Sequence, residues 1–256
     1  MKVYLTEMHS IRDAIRTMYM SKRSWTPEFE IKLKETVNHC TNRDGRPYVN
    51  LDLNNDDPVK VEFEDMVNKL FKWGKQHITM LRFLDVSVVV EGLHRGATDD
   101  LDAHAKRMDN RIIRSSTRLA NYQSSEMSDW YKGKIIPTDM ALKILLMDLP
   151  EEIEYEGNTY VRAENGYILK GQENNKDVKR GLYMLSLPMN FTFKINIVEF
   201  AHVYIERGKS KKNGGLAHGT AAPELQDMIE NLVDQIHEWY PQIDREFLLE
   251  VENNNV

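Results

Sequence analysis

The sequence predicts an α/β chain of the α+β kind, with a mixed or antiparallel sheet flanked by long helices. Two strand-like runs carry half of that prediction: MKVYLTEM at the start, and Leu84 to Val90, where β-branched residues dominate LDVSVVV. Long helical periodicities between and after them carry the other half. Asn165-Gly166, set in an alternating stretch over 151–171, is a hairpin signal and adds an antiparallel component.

Taken in order, the opening strand is followed by Ile11, Ala14, Ile15 and Met18 at helical spacing. A second helix is expected over Ser24 to Cys40, with Thr26 as N-cap and Pro27 in the first turn. Residues 41–57 are rich in Asn, Asp and Gly and read as a loop. A third helix runs from about Pro58 to Trp73, with Gly74 placed to end it. After the Leu84–Val90 strand and EGLHRGATDD, Thr98 is expected to cap a helix through DDLDAHAKRMDN. Ile135 begins a short extended piece closed by Pro137, and Thr138 is placed to cap a helix ending at Pro150. Asn174 to Leu187 reads as helical. Phe191 to Arg207 fits a strand or a helix and is divided near Asn196. The last clear element is Pro223 to Tyr240, with Leu225, Met228, Ile229, Leu232, Val233, Ile236 and Trp239 along one face. No internal repeat or long linker divides the chain, so 1–256 is expected to be one domain with a hairpin insertion at about 151–171.

The 256 residues are 41% hydrophobic and 29% charged, enough apolar content for a sizeable core. There is no run of eighteen apolar residues, and the start MKVYLTEMHS has no signal-like apolar stretch, so a cytoplasmic protein away from membranes is expected. One cysteine, Cys40, excludes an internal disulfide and a cysteine-based zinc cluster. The net charge of −6 argues against nucleic acid as a partner. Eight histidines show no HExxH and no tight ligand spacing, so no metal site is expected. GxGxxG, GxxxxGK[ST] and GxSxG are all missing.

Two segments hold the candidate chemistry. Ala103 to Arg118 carries Lys106, Arg107, Arg111, Arg114 and Arg118 against a single Asp109, with Ser115, Ser116 and Thr117 beside the last arginine. Hydroxyls next to a guanidinium suit a phosphate, since both donate to its oxygens. A solvated helix face and polar turn is the alternative. In Asn196 to Arg207, an amide, a carboxylate, an imidazole and a guanidinium are interleaved with Val198, Phe200, Val203 and Tyr204. Here the alternative is an amphipathic helix with a polar face.

Read together, the two segments resemble the flavin-dependent thymidylate synthases. That family has a strand, EG-x-SR, an RHR triplet and S-x-R-Y. Here Val86 to Arg95 reads VSVVVEGLHR, His104 stands at the triplet's centre, and Ser116-Thr117-Arg118 takes the place of S-x-R. KIIP at 134–137 resembles the extended piece that follows. LPMN at 187–190 resembles LP-x-N, and Asn196 to Arg207 resembles N-x-R-E-x-x-H-F-x-x-x-R. APELQ at 222–226 resembles the start of the final helix. The likeness covers about residues 80–245 in the family's order. Its departures are Ala103 and Ala105 in place of both triplet arginines, Leu119 for the tyrosine, Val198 for an arginine, and about four extra residues before Ser116.

The resemblance implies a flavin-dependent thymidylate synthase-like fold and a homotetramer with FAD at the subunit interface. It further implies reductive methylation of dUMP to dTMP, using methylenetetrahydrofolate and NADPH as co-substrates. Arg207 would be the catalytic guanidinium that polarises the uracil. Ser116, Arg118 and Arg114 would bind the nucleotide, and His104, Arg107, Asn196, His202 and Glu199 the flavin. The missing arginines leave a second implication open: a catalytically altered or inactive homologue that binds a pyrimidine nucleotide or flavin.

Overall fold

The structure is a computed structural model. It describes residues 1–47, 57–103, 111–114, 129–137, 150–163, 166–175, 178–179, 182, 188–208 and 222–255. The predicted helices at 138–149 and 174–187 lie wholly or mostly outside these residues.

Four antiparallel strands form the main sheet in the order β1-β2-β8-β3. β1 (Lys2–His9) is an edge strand paired with β2 (Asp85–His94). β8 (Pro188–Asn196) lies between β2 and β3 (Arg111–Arg114). Both central strands alternate with period 2: Val86, Val88 and Val90 of β2 and Met189, Phe191, Phe193 and Ile195 of β8 are buried. In β1 the buried positions are Val3, Leu5 and Met8, and the odd step follows from a register shift between Leu5 and Glu7. One extra residue there turns Met8, rather than Glu7, into the core. β2 runs four residues beyond its predicted end, through a second irregularity between Val90 and Leu93 where Gly92 has φ +77°.

Helices cover the sheet. α1 (Ile11–Ser21) buries Ile11, Ala14, Ile15 and Met18, as the spacing predicts. α2 (Pro27–Cys40) begins where expected, with Thr26 Oγ1 accepting from the Phe29 N–H at 3.1 Å. α3 (Pro58–Gly74) is capped by Asp57. Gly74 is the last residue of this helix and not a left-handed stop. A Cβ there would stand 2.7 Å from Leu81 Cδ2, so glycine serves close packing on the 3-10 turn Ile78–Phe83. α4 (Arg95–Ala103) starts three residues before Thr98, which corrects the predicted cap. The cap is His94: its Nδ1 accepts from the Ala97 N–H at 3.0 Å, and Thr98 Oγ1 donates back to the His94 carbonyl at 3.3 Å.

α5 (Ile197–Arg207) follows β8 directly, dividing the ambiguous segment at Asn196 as anticipated. α6 (Pro223–Trp239) buries all seven residues of its predicted apolar face. α7 (Arg245–Asn253) is an element that the sequence reading missed. Asp244 caps it through a 2.7 Å bond from the Phe247 N–H, and Phe247, Leu248 and Val251 face the core. α6 packs on β1 and β2, while α5 packs on α6, α7 and the Ile78–Phe83 turn.

A second antiparallel sheet has the order β4-β7-β6-β5. β4 (Ile135–Pro137) pairs with β7 (Gly166–Leu169), and β5 (Glu152–Tyr155) with β6 (Asn158–Ala163). The predicted hairpin is therefore part of a larger meander. Its β5–β6 turn is Glu156-Gly157, both at positive φ, which matches the twist of a tight hairpin. Tyr131, Ile135, Ile168, Val178 and Leu182 form a separate apolar cluster beneath this sheet. Among the described residues, no helix is long and apolar enough to cross a membrane.

Candidate functional site

The β8–α5 junction sets the geometry. Asn196 ends β8 opposite Asp85, and the Ile197 N–H donates to the Leu84 carbonyl at 3.0 Å, so the turn is pinned to the start of β2. Asn196 Oδ1 accepts from the Glu199 N–H at 3.0 Å and caps the helix, a role worth about 1 kcal/mol. Every residue of α5 except Glu206 is buried. Glu199, His202 and Arg207 are only 4%, 6% and 4% exposed. The polar face of this helix is therefore not in solvent. Polar groups at such depth are costly unless paired, so their partners matter.

Arg207, in the last turn, points to α4. Its Nε donates to Asp100 Oδ1 at 3.2 Å and its Nη1 to the Glu206 carbonyl at 2.9 Å. Gly208 follows, and a Cβ there would stand 2.6 Å from the Tyr204 carbonyl oxygen. Glu199 and His202, three residues apart and on one face, turn toward α7 and the Ile78–Phe83 segment. His202 Nδ1 donates to Glu252 Oε1 at 2.8 Å, and Glu199 Oε1 lies 4.0 Å from Arg82 Nη1. His202 and Arg207 are five residues apart, about 140° around the helix, and so serve different faces.

A second constellation forms where α4 and α6 begin. Glu224 Oε2 accepts from the His94 N–H at 3.2 Å and lies 3.8 Å from His94 Nε2. Because Nδ1 of His94 accepts from Ala97, the neutral ring carries its proton on Nε2, facing that carboxylate. Trp130 stacks on this ring at 5.8 Å, and Tyr131 meets it edge-on at 5.0 Å. Lys134 Nζ sits 3.7 Å from the centre of the Trp130 ring. Burial lowers the Lys134 pKa from its ordinary value, while the Glu224 charge opposes that shift.

Of the sequence-predicted residues, Asn196, Glu199, His202 and Arg207 are thus assembled on one buried helix. Arg114 ends β3 opposite Phe191, and only its backbone is described. His104, Arg107, Ser116 and Arg118 lie outside the described residues. Sequence reasoning missed His94, Asp100, Glu224 and Glu252 as partners. His94 stands in EGLHR and Glu224 in APELQ, both noted as motifs, but the pairing is tertiary. Among the described residues, no group of three or more His, Cys, Asp or Glu side chains is arranged for a metal ion. A cavity of about 320 Å³ lies between the end of β1, α1, α2 and the turn at 41–45, and none of the predicted site residues lines it.

No family model and no curated protein matches the chain. Among solved structures, the chain is similar to thymidylate synthase X (ThyX) from Helicobacter pylori, crystallised with FAD and dUMP. The TM-score is 0.47 and the identity 15%, over 97% of this chain and 99% of that one. It is also similar to PolB, a UMP/dUMP methylase from Streptomyces cacaoi, bound with 5-Br UMP, with a TM-score of 0.49 and 9% identity. That match covers 98% of this chain and 94% of the other.

Proposed function

We propose that this chain is a divergent flavin-dependent thymidylate synthase, an FAD-dependent enzyme that methylates dUMP with methylenetetrahydrofolate and NADPH, built as a homotetramer. One observation carries the reading: the polar residues of the motif-like segment Asn196–Arg207 are buried on a helix. A surface helix needs no such residues in its interior, whereas a site does.

The donor set suits a flavin. His202 Nε2 is buried without a hydrogen-bond partner, an acceptor waiting for a donor of the kind a flavin ring presents. Asn196 Oδ1 is engaged in the helix cap, so its amide NH₂ is the group available to a ligand. His202 and Asn196 would hold the flavin from this helix, with Glu199 beside them and His104 and Arg107 supplied by the preceding segment. Bound FAD would supply the reducing equivalents that complete the methyl group.

The chain's own residues act on the nucleotide. Arg207 faces the pyrimidine, where its fixed charge stabilises the negative charge that develops as C5 becomes nucleophilic. One such donor in a dry site contributes roughly 3–4 kcal/mol. Ser116, Arg118 and Arg114 would hold the phosphate through charge-assisted bonds. Asp100 keeps the guanidinium plane fixed before substrate arrives.

Titration of purified protein with FAD, followed by tritium release from 5-labelled dUMP with both co-substrates, tests this function. Protein that gains no flavin absorbance sinks it. A second reading is favoured by Asp100, whose carboxylate engages Arg207, together with Ala103 and Ala105 at the triplet positions. It is a homologue that binds flavin or a pyrimidine nucleotide without turnover. Flavin binding with no tritium release selects it.

A further inference from the structure

The last helix reaches back to the buried imidazole of α5. His202 has an 8% exposed side chain, and its Nδ1 is 2.8 Å from Glu252 Oε1. A carboxylate accepts and does not donate, so the proton between them sits on Nδ1. Glu252 is itself held. Asn255 Nδ2 donates to Glu252 Oε2 at 3.3 Å, and Arg82 Nη2 donates to Asn255 Oδ1 at 3.1 Å. Arg82 Nη1 in turn lies 4.0 Å from Glu199 Oε1. The chain of side chains thus leaves α5 at Glu199, crosses Arg82, Asn255 and Glu252, and returns to α5 at His202. α7 is anchored independently, by Asn254 Nδ2 donating to the Lys75 carbonyl at 2.7 Å and by Lys75 Nζ at 2.8 Å from Glu250 Oε2.

The other ring nitrogen is the consequence. With Nδ1 protonated, Nε2 of the neutral ring is a bare lone pair, and it is buried with no hydrogen-bond partner. A buried acceptor left without a donor is costly, so the arrangement makes sense when a ligand completes it. We propose that Glu252 is a positioning residue that locks His202 in the Nδ1–H tautomer, so that Nε2 receives an N–H or O–H donor of the bound ligand. The ligand class follows: a group that donates a hydrogen bond, not an anionic oxygen, meets this nitrogen. The inference rests on the reading of this site as flavin- and nucleotide-binding, and it adds a C-terminal residue outside every motif-like segment.

The test reads nitrogen chemical shifts of ¹⁵N-histidine-labelled full-length protein, first free and then with FAD or dUMP added. In the free protein, His202 is expected to show protonated Nδ1 and unprotonated Nε2. Glu252→Ala should move the proton to Nε2, whereas Glu252→Gln, which keeps a carbonyl acceptor, should preserve the original tautomer. A protonated Nε2 in the parent, or an unchanged tautomer in Glu252→Ala, overturns the lock. Adding FAD or dUMP should shift the Nε2 resonance toward that of a hydrogen-bonded acceptor, and Glu252→Ala should weaken binding of that ligand by about tenfold, with Glu252→Gln restoring it. Flavin bound by absorbance with a stationary Nε2 signal overturns the donor assignment alone. If neither compound binds, the flavin and nucleotide reading fails together with the donor assignment, while the free-protein spectra still decide the tautomer lock.

Discussion

Arg207 at the end of α5 donates through Nε to Asp100 of α4 at 3.2 Å, and their side chains are only 5% and 12% exposed. This pair ties the helix that follows β2 to the helix that follows β8. Breaking a buried pair from one side is destabilising, by about 3 kcal/mol or more. Asp100→Ala should therefore lower the unfolding free energy by roughly that amount in urea titration. Asp100→Asn keeps an acceptor for Nε and should cost about half as much. A loss of less than about 0.5 kcal/mol for the alanine variant would show that the pair contributes nothing to holding α4.

Acid should weaken the contact between α1 and α2. The Arg16 guanidinium hydrogen-bonds Glu30 and holds its carboxyl down at about 2. A depressed carboxylate contributes stability above its unfolded value near 4.5, and that contribution fades as pH falls toward about 2. Both side chains are more than a quarter exposed, so solvent screening reduces the contribution to about 1 kcal/mol. Glu30→Gln should be less stable than the parent by that amount at pH 7, and the gap should close near pH 2 in parallel denaturant titrations. A gap that persists at pH 2 would remove the ion pair as its cause.

Periodicity made most of the scaffold legible. Val86, Val88 and Val90 and the seven-residue face of α6 are buried because apolar spacing at 2 and 3.6 residues reports which side faces a core. The split at Asn196 was legible for a similar local reason, since an Asn before a helical run is a cap. Gly74 does end α3, though its close packing is a tertiary matter, and Thr98 was misread because the helix is capped one turn earlier. Leu81 presses on the glycine, and the α4 cap comes from His94, an imidazole that stands outside the usual cap residues. At the site, residue types could be read but not their depth or pairing. Nothing in sequence spacing puts Asp100 against Arg207, or Glu252 fifty residues away against His202. α7 was missed although Asp244 precedes Phe247, Leu248 and Val251, since nine residues give too few turns to dominate a periodicity search.

Cys40 should be inert in the folded protein. It is 3% exposed, and burial pushes its thiol pKa up to about 11, with the negative charges of Asp57 and Glu64 adding to the shift. The thiolate is the reactive form, so little of it exists at pH 8. Native protein should react with a thiol reagent at least tenfold more slowly than the same protein in urea. Equal rates in the two states would mean that Cys40 is accessible.

Gly208 lets the chain pass the Tyr204 carbonyl at the end of the turn that carries Arg207. A Cβ at 208 would meet the Tyr204 carbonyl oxygen at 2.6 Å and Tyr204 Cδ2 at 2.8 Å. Tyr204 is only 1% exposed, so the ring has no open side toward which to yield. The added methyl must therefore displace the last turn of α5, where the Gly208 N–H donates to the Tyr204 carbonyl at 2.8 Å. Arg207 lies in that turn. Overpacking of this kind costs about 1–3 kcal/mol. Displacing the guanidinium also makes Asp100 less important, so Gly208→Ala and Asp100→Ala should be non-additive, with the double variant more stable than the sum of the two losses implies. A double-mutant cycle in urea reads this directly. Additive losses would separate the glycine from the ion pair and leave its role as helix-end packing alone.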